Sequence, residues 1–146
     1  GEYVVDLGSG GGLPGIPLAI TNPQKQFLLV ESNTKKASFL LNTVTKLNLH
    51  NTEVINDRIE NIDSSNFPDR FDIVSRAVGS IEANIALTEQ LLKKKGVYLK
   101  LMKTEDQFFK EHLPTGYNVK KIDKYLTKTK DKTRILVTIE KVQQNG

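Results

Sequence analysis

A glycine-rich segment near the start of the chain has the residue types that a nucleotide-binding loop needs. The segment is Asp6-Leu7-Gly8-Ser9-Gly10-Gly11-Gly12-Leu13-Pro14-Gly15, and its first two residues are the last two of the apolar run Tyr3–Leu7. Glycines let the backbone turn tightly and let a ligand approach where a Cβ would collide with it. Because Gly10–Gly15 also matches the dinucleotide pattern G-x-G-x-x-G, the loop by itself fits NAD as well as other nucleoside ligands.

A single acidic residue lies where the ribose of such a ligand would be bound. Glu31 follows Gly8 by 23 residues, at the end of the next apolar run. A carboxylate at this place can accept hydrogen bonds from both ribose hydroxyls of an adenosine. The alternative is a structural turn followed by an unrelated surface glutamate, but loop, helix and acid occur in the order that nucleotide binding requires.

Two features favour S-adenosylmethionine over NAD. Asp6 precedes Gly8 and Gly10 in a D-x-G-x-G arrangement that is typical of methyltransferases, and its carboxylate would suit the ammonium group of that cofactor. Hydride transfer would also need an acid/base pair, and the sequence presents no such pair with histidine.

These residues must be positioned by a sheet, because strands and helices alternate along the chain. Short apolar runs predict seven strands, at Tyr3–Leu7, Phe27–Glu31, Thr52–Asn56, Phe71–Ser75, Val97–Met102, Tyr117–Ile122 and Arg134–Val142. Helical spacing and caps predict helices over Leu13–Thr21, from Asn33 or Thr34 to about Leu47, from Ser80 to about Lys94, and over Glu105–His112, with a turn or two at Arg58–Ile62.

This order of elements predicts one domain over residues 1–146 of the α/β class. We expect a doubly wound, mostly parallel, seven-stranded sheet with a C-terminal antiparallel hairpin, which is a Rossmann-like arrangement. Lys124–Lys132 is the predicted polar connection of the hairpin. The alternating pattern of Arg134–Val142 suits a strand paired at one side of the sheet, so we expect an antiparallel strand near one edge.

Composition excludes several classes of protein and site. The 146 residues are 38% hydrophobic and 26% charged, as in a globular domain. The absence of cysteine excludes disulfides, thiolate zinc sites and a cysteine nucleophile. We expect no metal, since His50 and His112 are far apart in the sequence, no membrane segment, and a location in the cytosol.

Charge is uneven along the chain. Residues 1–92 hold 7 Lys and Arg against 11 Asp and Glu, whereas residues 93–146 hold 14 against 6. A basic half of this kind suits contact with a polyanion, because lysines placed on phosphates release counterions. A solvated lysine-rich surface is the alternative, and the few aromatic residues offer little base stacking.

Beyond the glycines, the chain resembles a known family. The continuation Leu13-Pro14-Gly15-Ile16-Pro17 is similar to the loop of ribosomal RNA small subunit methyltransferase G, also called glucose-inhibited division protein B. Three later segments also resemble the same family. They are Leu29-Val30-Glu31-Ser32 followed by Lys35-Lys36, then Ile73-Val74-Ser75-Arg76-Ala77, and then Tyr98-Leu99-Lys100.

The resemblance implies a class I methyltransferase that moves a methyl group from S-adenosylmethionine to N(7) of a guanine in 16S ribosomal RNA. The cofactor-binding positions carried over from the family are Gly8, Leu13, Glu31, Ile59, Glu60 and Arg76. Asp57 is a nearby alternative to Glu60. No catalytic acid or base is expected, because N(7) of guanine has a lone pair and no proton. The implied partner is 16S ribosomal RNA or the small ribosomal subunit, bound by a protein that is monomeric when complete.

Arg76 follows the predicted strand Phe71–Ser75, so we expect it at the carboxyl end of the sheet beside the ligand. There it could bind a phosphate, the target base or the carboxylate of the cofactor. A structural salt bridge to Asp6 or Glu31 is the alternative.

Members of the family carry a helical segment before the first strand, and this chain is expected to lack it. Exposed apolar surface, and hence dimerisation, is expected where that segment would pack. Two other functions stay open: a class I methyltransferase that acts on a small molecule or a protein, and a non-catalytic nucleotide-binding or RNA-binding module.

Overall fold

The structure is a computed structural model that describes residues 2–8, 10–76, 79–126 and 133–143. Its strands are β1 (Tyr3–Leu7), β2 (Gln26–Val30), β3 (Thr52–Ile55), β4 (Phe71–Ser75), β5 (Val97–Thr104), β6 (Tyr117–Leu126) and β7 (Thr133–Lys141). Its α-helices are α1 (Gly15–Thr21), α2 (Thr34–Lys46), α3 (Ile81–Leu92) and α4 (Glu105–Phe109), and two 3₁₀ turns lie at Ile59–Asn61 and Ser64–Asn66.

The strands form one seven-stranded sheet in the order β3-β2-β1-β4-β5-β7-β6. The first five strands are parallel to one another, and β7 runs antiparallel to both of its neighbours. The chain order reverses beside β1, and ligands of doubly wound sheets bind outside the strand ends at such a point. The predicted fold class is therefore confirmed.

Both faces of the sheet are covered because the central strands bury alternate residues on opposite sides. Leu28 and Val30 belong to the large core cluster that α3 completes, whereas Leu29 packs with residues of α1 and α2. The helices thereby fix the carboxyl ends of β1, β2 and β4 relative to one another.

Two predicted helix starts are confirmed by their caps, and one is wrong. The side chain of Asn33 accepts the Lys36 N–H at 3.0 Å, and that of Ser80 accepts the Ala83 N–H at 3.0 Å. The first helix begins at Gly15 and not at Leu13, because Gly12, with a φ of +88°, and Pro14, as the N-cap, belong to the preceding loop.

The C-terminal hairpin is longer than the sequence predicts. β6 extends to Leu126, which pairs with Thr133, so the predicted connection Lys124–Lys132 begins inside a strand. β7 lies between β5 and the edge strand β6, so the last strand is near one edge of the sheet, as predicted. Its alternation reflects the two faces of the sheet. Lysines are tolerated in β6 because it is the edge strand, where charged side chains reach solvent.

Candidate functional site

A cavity of about 530 Å³ lies at the carboxyl ends of β1, β2 and β4. Four parts of the chain surround it: the glycine loop after β1, the end of β2 with the start of α2, the stretch after β3, and residues at the end of β4 and in α3. Its lining residues are Leu7, Gly8, Gly10, Gly11, Leu13, Val30, Ser32, Lys36, Asp57, Arg58, Ile59, Glu60, Ser75, Arg76, Asn84 and Leu87. Its size is within the usual range of sites for drug-sized ligands.

The glycine loop depends on backbone conformations that other residues rarely adopt. Gly8 has a φ of +69°, and its N–H donates to the Val30 carbonyl at 2.9 Å, which joins the loop to β2. Apart from its two chain neighbours, no atom of the described residues lies within 4 Å of the position that a Cβ of Gly8 would occupy. The space beside Gly8 is therefore open for a ligand to approach the backbone.

Asp6 has a different contact from the predicted one. Its carboxylate is buried, and Oδ2 accepts the N–H of Gly15 at 2.8 Å. Asp6 is not among the cavity-lining residues, so its observed role is to fix the first residue of α1. The idea that it meets a ligand's ammonium group stays a prediction.

Glu31 joins the glycine loop to the start of α2. Its Oε1 accepts the Gly10 N–H at 2.8 Å, and its Oε2 accepts the Asn33 N–H at 2.9 Å. The side chain is only 6% exposed and lies behind the lining, beside Gly10 and Ser32. Each oxygen keeps a second lone pair, so the carboxylate can still accept a ligand hydroxyl.

The segment after β3 supplies an apolar contact and two carboxylates. Ile59 is buried at the cavity wall. Oδ1 of Asp57 accepts hydrogen bonds from the side chain of Asn61 at 2.9 Å and the N–H of Arg58 at 2.7 Å. These two hydrogen bonds lower the pKa of Asp57 below its usual value, and the bond from Asn61 has the larger effect. The local turn thus engages Asp57, which leaves Glu60 as the freer carboxylate.

Arg76 lines the cavity directly after β4, as its position in the sequence predicts. Its side chain is exposed. Among the ion pairs of the described residues none joins it to Asp6 or Glu31, so the salt-bridge alternative is wrong. The guanidinium is available to an anionic group of a ligand.

Of the six predicted site residues, five line one cavity and Glu31 lies immediately behind it. Asn84 is buried on α3 and lines the cavity, although the sequence patterns did not predict it as a site residue. Its amide donates to the Ser80 carbonyl at 2.8 Å and accepts from the Ser75 hydroxyl at 3.4 Å. The signal was a polar residue one position before Ile85, on the buried side of an amphipathic helix.

Several lysines of the basic half, residues 93–146, already pair with acidic side chains of the protein. The pairs are Lys100 with Asp72, Lys103 with Glu111, Lys121 with Asp123, and Lys124 with Glu105. Lys128, Lys130 and Lys132 of the basic half, and Ser9 and Ala77 of the family-like segments, lie outside the described residues.

Two classes of feature are not found in the part of the chain that the structure describes. No helix there has the length and apolarity that crossing a membrane requires. No group of three or more His, Asp or Glu side chains there is placed to hold a metal ion.

Comparison with known proteins identifies the family. A family model described as rRNA small subunit methyltransferase G, GidB, matches residues 1–137. Ribosomal RNA small subunit methyltransferase G of Hydrogenovibrio crunogenus is 37% identical over 98% of this chain and 65% of its own length. The protein of the same name from Legionella pneumophila strain Corby is 44% identical over 68% of this chain and 47% of its own. The chain thus spans about half to two thirds of the length of these relatives.

Solved structures agree on the fold. M. jannaschii TYW2 in complex with AdoMet superposes with a TM-score of 0.63 at 14% sequence identity. The match covers 96% of this chain and 69% of the TYW2 chain. An rRNA methylase from Streptococcus thermophilus gives a TM-score of 0.60 at 18% sequence identity, and the match covers 97% of this chain and 87% of the methylase chain. The fold is that of Rossmann-like methyltransferases, and the chain belongs to the rRNA small subunit methyltransferase G family.

Proposed function

We propose that the cavity binds S-adenosylmethionine and that the protein transfers the methyl group to N(7) of a guanine in 16S ribosomal RNA. The observation that carries the proposal is the convergence of the glycine loop, Ile59–Glu60 and Arg76 on one cavity at the carboxyl edge of the sheet. Family membership supports the reaction class.

The residues present fit the cofactor. The open space at Gly8 allows a ligand to reach the backbone, and Leu13, half exposed, offers an apolar wall. Glu31 would accept the ribose hydroxyls while it holds Gly10 in place. Ile59 would contact the adenine ring, and Glu60 its polar edge. Of these residues, all but Glu31 line the cavity.

The reaction asks for positioning more than for acid/base chemistry. S-adenosylmethionine supplies an electrophilic methyl group on a sulfonium when bound. N(7) of guanine already has a lone pair, so the protein need not remove a proton before attack. The chain's residues would raise the rate by holding the target base in line with the methyl carbon. Arg76 would hold an anionic group at the mouth of the site, either an RNA phosphate or the carboxylate of the cofactor.

We assign 16S ribosomal RNA, alone or in the small subunit, as the partner, and the cytoplasm as the place of action. The excess of basic residues after position 92 supports contact with phosphates, even though several of these lysines are ion-paired. Binding should therefore weaken as salt increases. The complete protein would act as a monomer.

Labelled methyl transfer to 16S RNA or unmodified small subunits tests the proposal, with full-length protein in wild-type and Arg76→Ala forms. We expect wild type to label the RNA and Arg76→Ala to be slower by about tenfold to a hundredfold, because a charge-assisted contact that orients the reactants is lost. Arg70→Ala removes an exposed arginine just before β4, at the opposite end of that strand, and should retain activity.

Calorimetry with S-adenosylmethionine and NAD separates the cofactor classes. Binding of the former with no labelling of RNA would favour a methyltransferase with another substrate. Absence of both binding and labelling, in folded full-length protein, would contradict the proposal.

A further inference from the structure

A lysine is buried at the end of β5, outside the lining of the cavity. The side chain of Lys103 is 4% exposed, and its Nζ lies 2.6 Å from Oε2 of Glu111. A lysine is rarely buried to this extent without a partner that compensates its charge. The pair is therefore a specific feature, and methyl transfer as described above does not use it.

The pair contacts the backbone where α3 begins. Lys103 Nζ lies 3.4 Å from the carbonyl oxygen of Gly79, and Glu111 Oε1 accepts the N–H of Ile81 at 3.1 Å. The pair of a buried lysine and a glutamate whose side chain is 20% exposed thus connects three places in the fold: the end of β5, the residues after α4, and the first residue of α3.

The start of α3 matters because the helix contributes to the cavity. Asn84 lies one turn after Ile81 and is bonded to Ser75 at the end of β4, and Leu87 lies one turn further along. Both residues line the cavity. A shift of the helix start would move this wall relative to β4.

Stability alone is a weak reason for such a pair. Replacing a buried ion pair by apolar residues of similar volume is often neutral or stabilising. The ammonium of Lys103 and the carboxylate of Glu111 instead contact one carbonyl and one N–H near the same helix start, and apolar side chains could make neither contact.

We propose that Lys103 and Glu111 are positioning residues: their ion pair fixes the start of α3 and thereby sets the wall of the cavity that Asn84 and Leu87 form. The effect of the pair on ligand binding rests on the proposed function, whereas its effect on the helix start does not. Neither residue lines the cavity.

The test compares two lysine-to-methionine variants that act at opposite ends of the same helix. Lys103→Met removes the contact at the start of α3. Lys94→Met is the matched control, because Lys94 follows the end of α3 and donates to the Ser64 carbonyl at 2.7 Å. Hydrogen–deuterium exchange of residues 79–88 in the ligand-free protein and the Kd for S-adenosylmethionine are measured for each.

We expect Lys103→Met to speed exchange at the start of α3 and to raise the Kd by about tenfold, since small misplacements of a site wall have large effects. Lys94→Met should leave both within about twofold, as substitutions away from a site do. Glu111→Gln keeps an oxygen for the Ile81 N–H and removes only the charge, so it should shift both measurements in the same direction by less. It replaces Lys103→Met as the test if that variant does not fold.

Unchanged exchange and Kd in Lys103→Met, or equal changes in both lysine variants, would overturn the inference. If the wild type bound no S-adenosylmethionine, the proposed function would fail, and the exchange data alone would still decide whether the pair fixes the helix start.

Discussion

Glu31→Gln is expected to weaken the binding of S-adenosylmethionine by about a hundredfold, which corresponds to the loss of one to two charge-assisted hydrogen bonds. Each carboxylate oxygen of Glu31 accepts a backbone N–H, from Gly10 and from Asn33. A glutamine has only one such oxygen, so its NH₂ group would face one of the two N–H donors. The substitution therefore disturbs the glycine loop as well as removing the charged acceptor for the ribose.

Calorimetry on folded protein measures this effect, with folding checked by circular dichroism. Glu53→Gln is the matched control, because Glu53 is an exposed glutamate on the neighbouring strand β3. We expect the control to bind as the wild type does. A Kd for Glu31→Gln within about twofold of wild type would show that Glu31 only supports the loop at a distance and does not contact the ligand.

Gly15→Ala is expected to lower the free energy of unfolding by about 3 kcal/mol, through overpacking and the disturbance of a buried hydrogen bond. A Cβ at Gly15 would overlap the side chains of Leu29 and Asp6. Neither can move aside easily, because Leu29 is fully buried and Asp6 accepts the Gly15 N–H. Strand β1, strand β2 and the start of α1 meet at this glycine.

Urea denaturation measures the change, and Gly11→Ala is the control within the same loop. Apart from its chain neighbours, no atom of the described residues lies within 4 Å of a Cβ placed on Gly11, and the φ of Gly11 is outside the left-handed region. The unfolding free energy of Gly11→Ala should therefore stay within about 0.5 kcal/mol of wild type. Equal stability of the two variants would contradict the close packing at Gly15.

Local patterns predict the sheet well because its central strands have continuous apolar runs. Strands β1 (Tyr3–Leu7) and β4 (Phe71–Ser75) begin and end at the residues that the sequence predicts. The hairpin was less predictable, since an edge strand may carry lysines and still pair through its backbone. The apolar alternation of β7 does not reveal its place between β5 and β6, because strand order depends on long-range pairing.

The site was predictable where a residue directly follows a strand. Gly8 and Arg76 follow β1 and β4, so their place at the carboxyl edge results from the topology. Asn84 and Lys103 were missed for a common reason: each is a polar side chain that is buried, whereas its residue type predicts exposure to solvent. The sequence does not show that the carboxylate of Asp6 accepts the N–H of Gly15, because this contact depends on the path of the loop between them.

Analysis of the methylated nucleoside tests the central claim most directly. Unmodified small ribosomal subunits or 16S RNA are incubated with the full-length protein and S-adenosylmethionine, and the digested RNA is examined by mass spectrometry. We expect 7-methylguanosine to form with wild-type protein and to be strongly reduced with Glu31→Gln. Folded wild-type protein that forms no methylated nucleoside, or that methylates a different atom, would contradict the account.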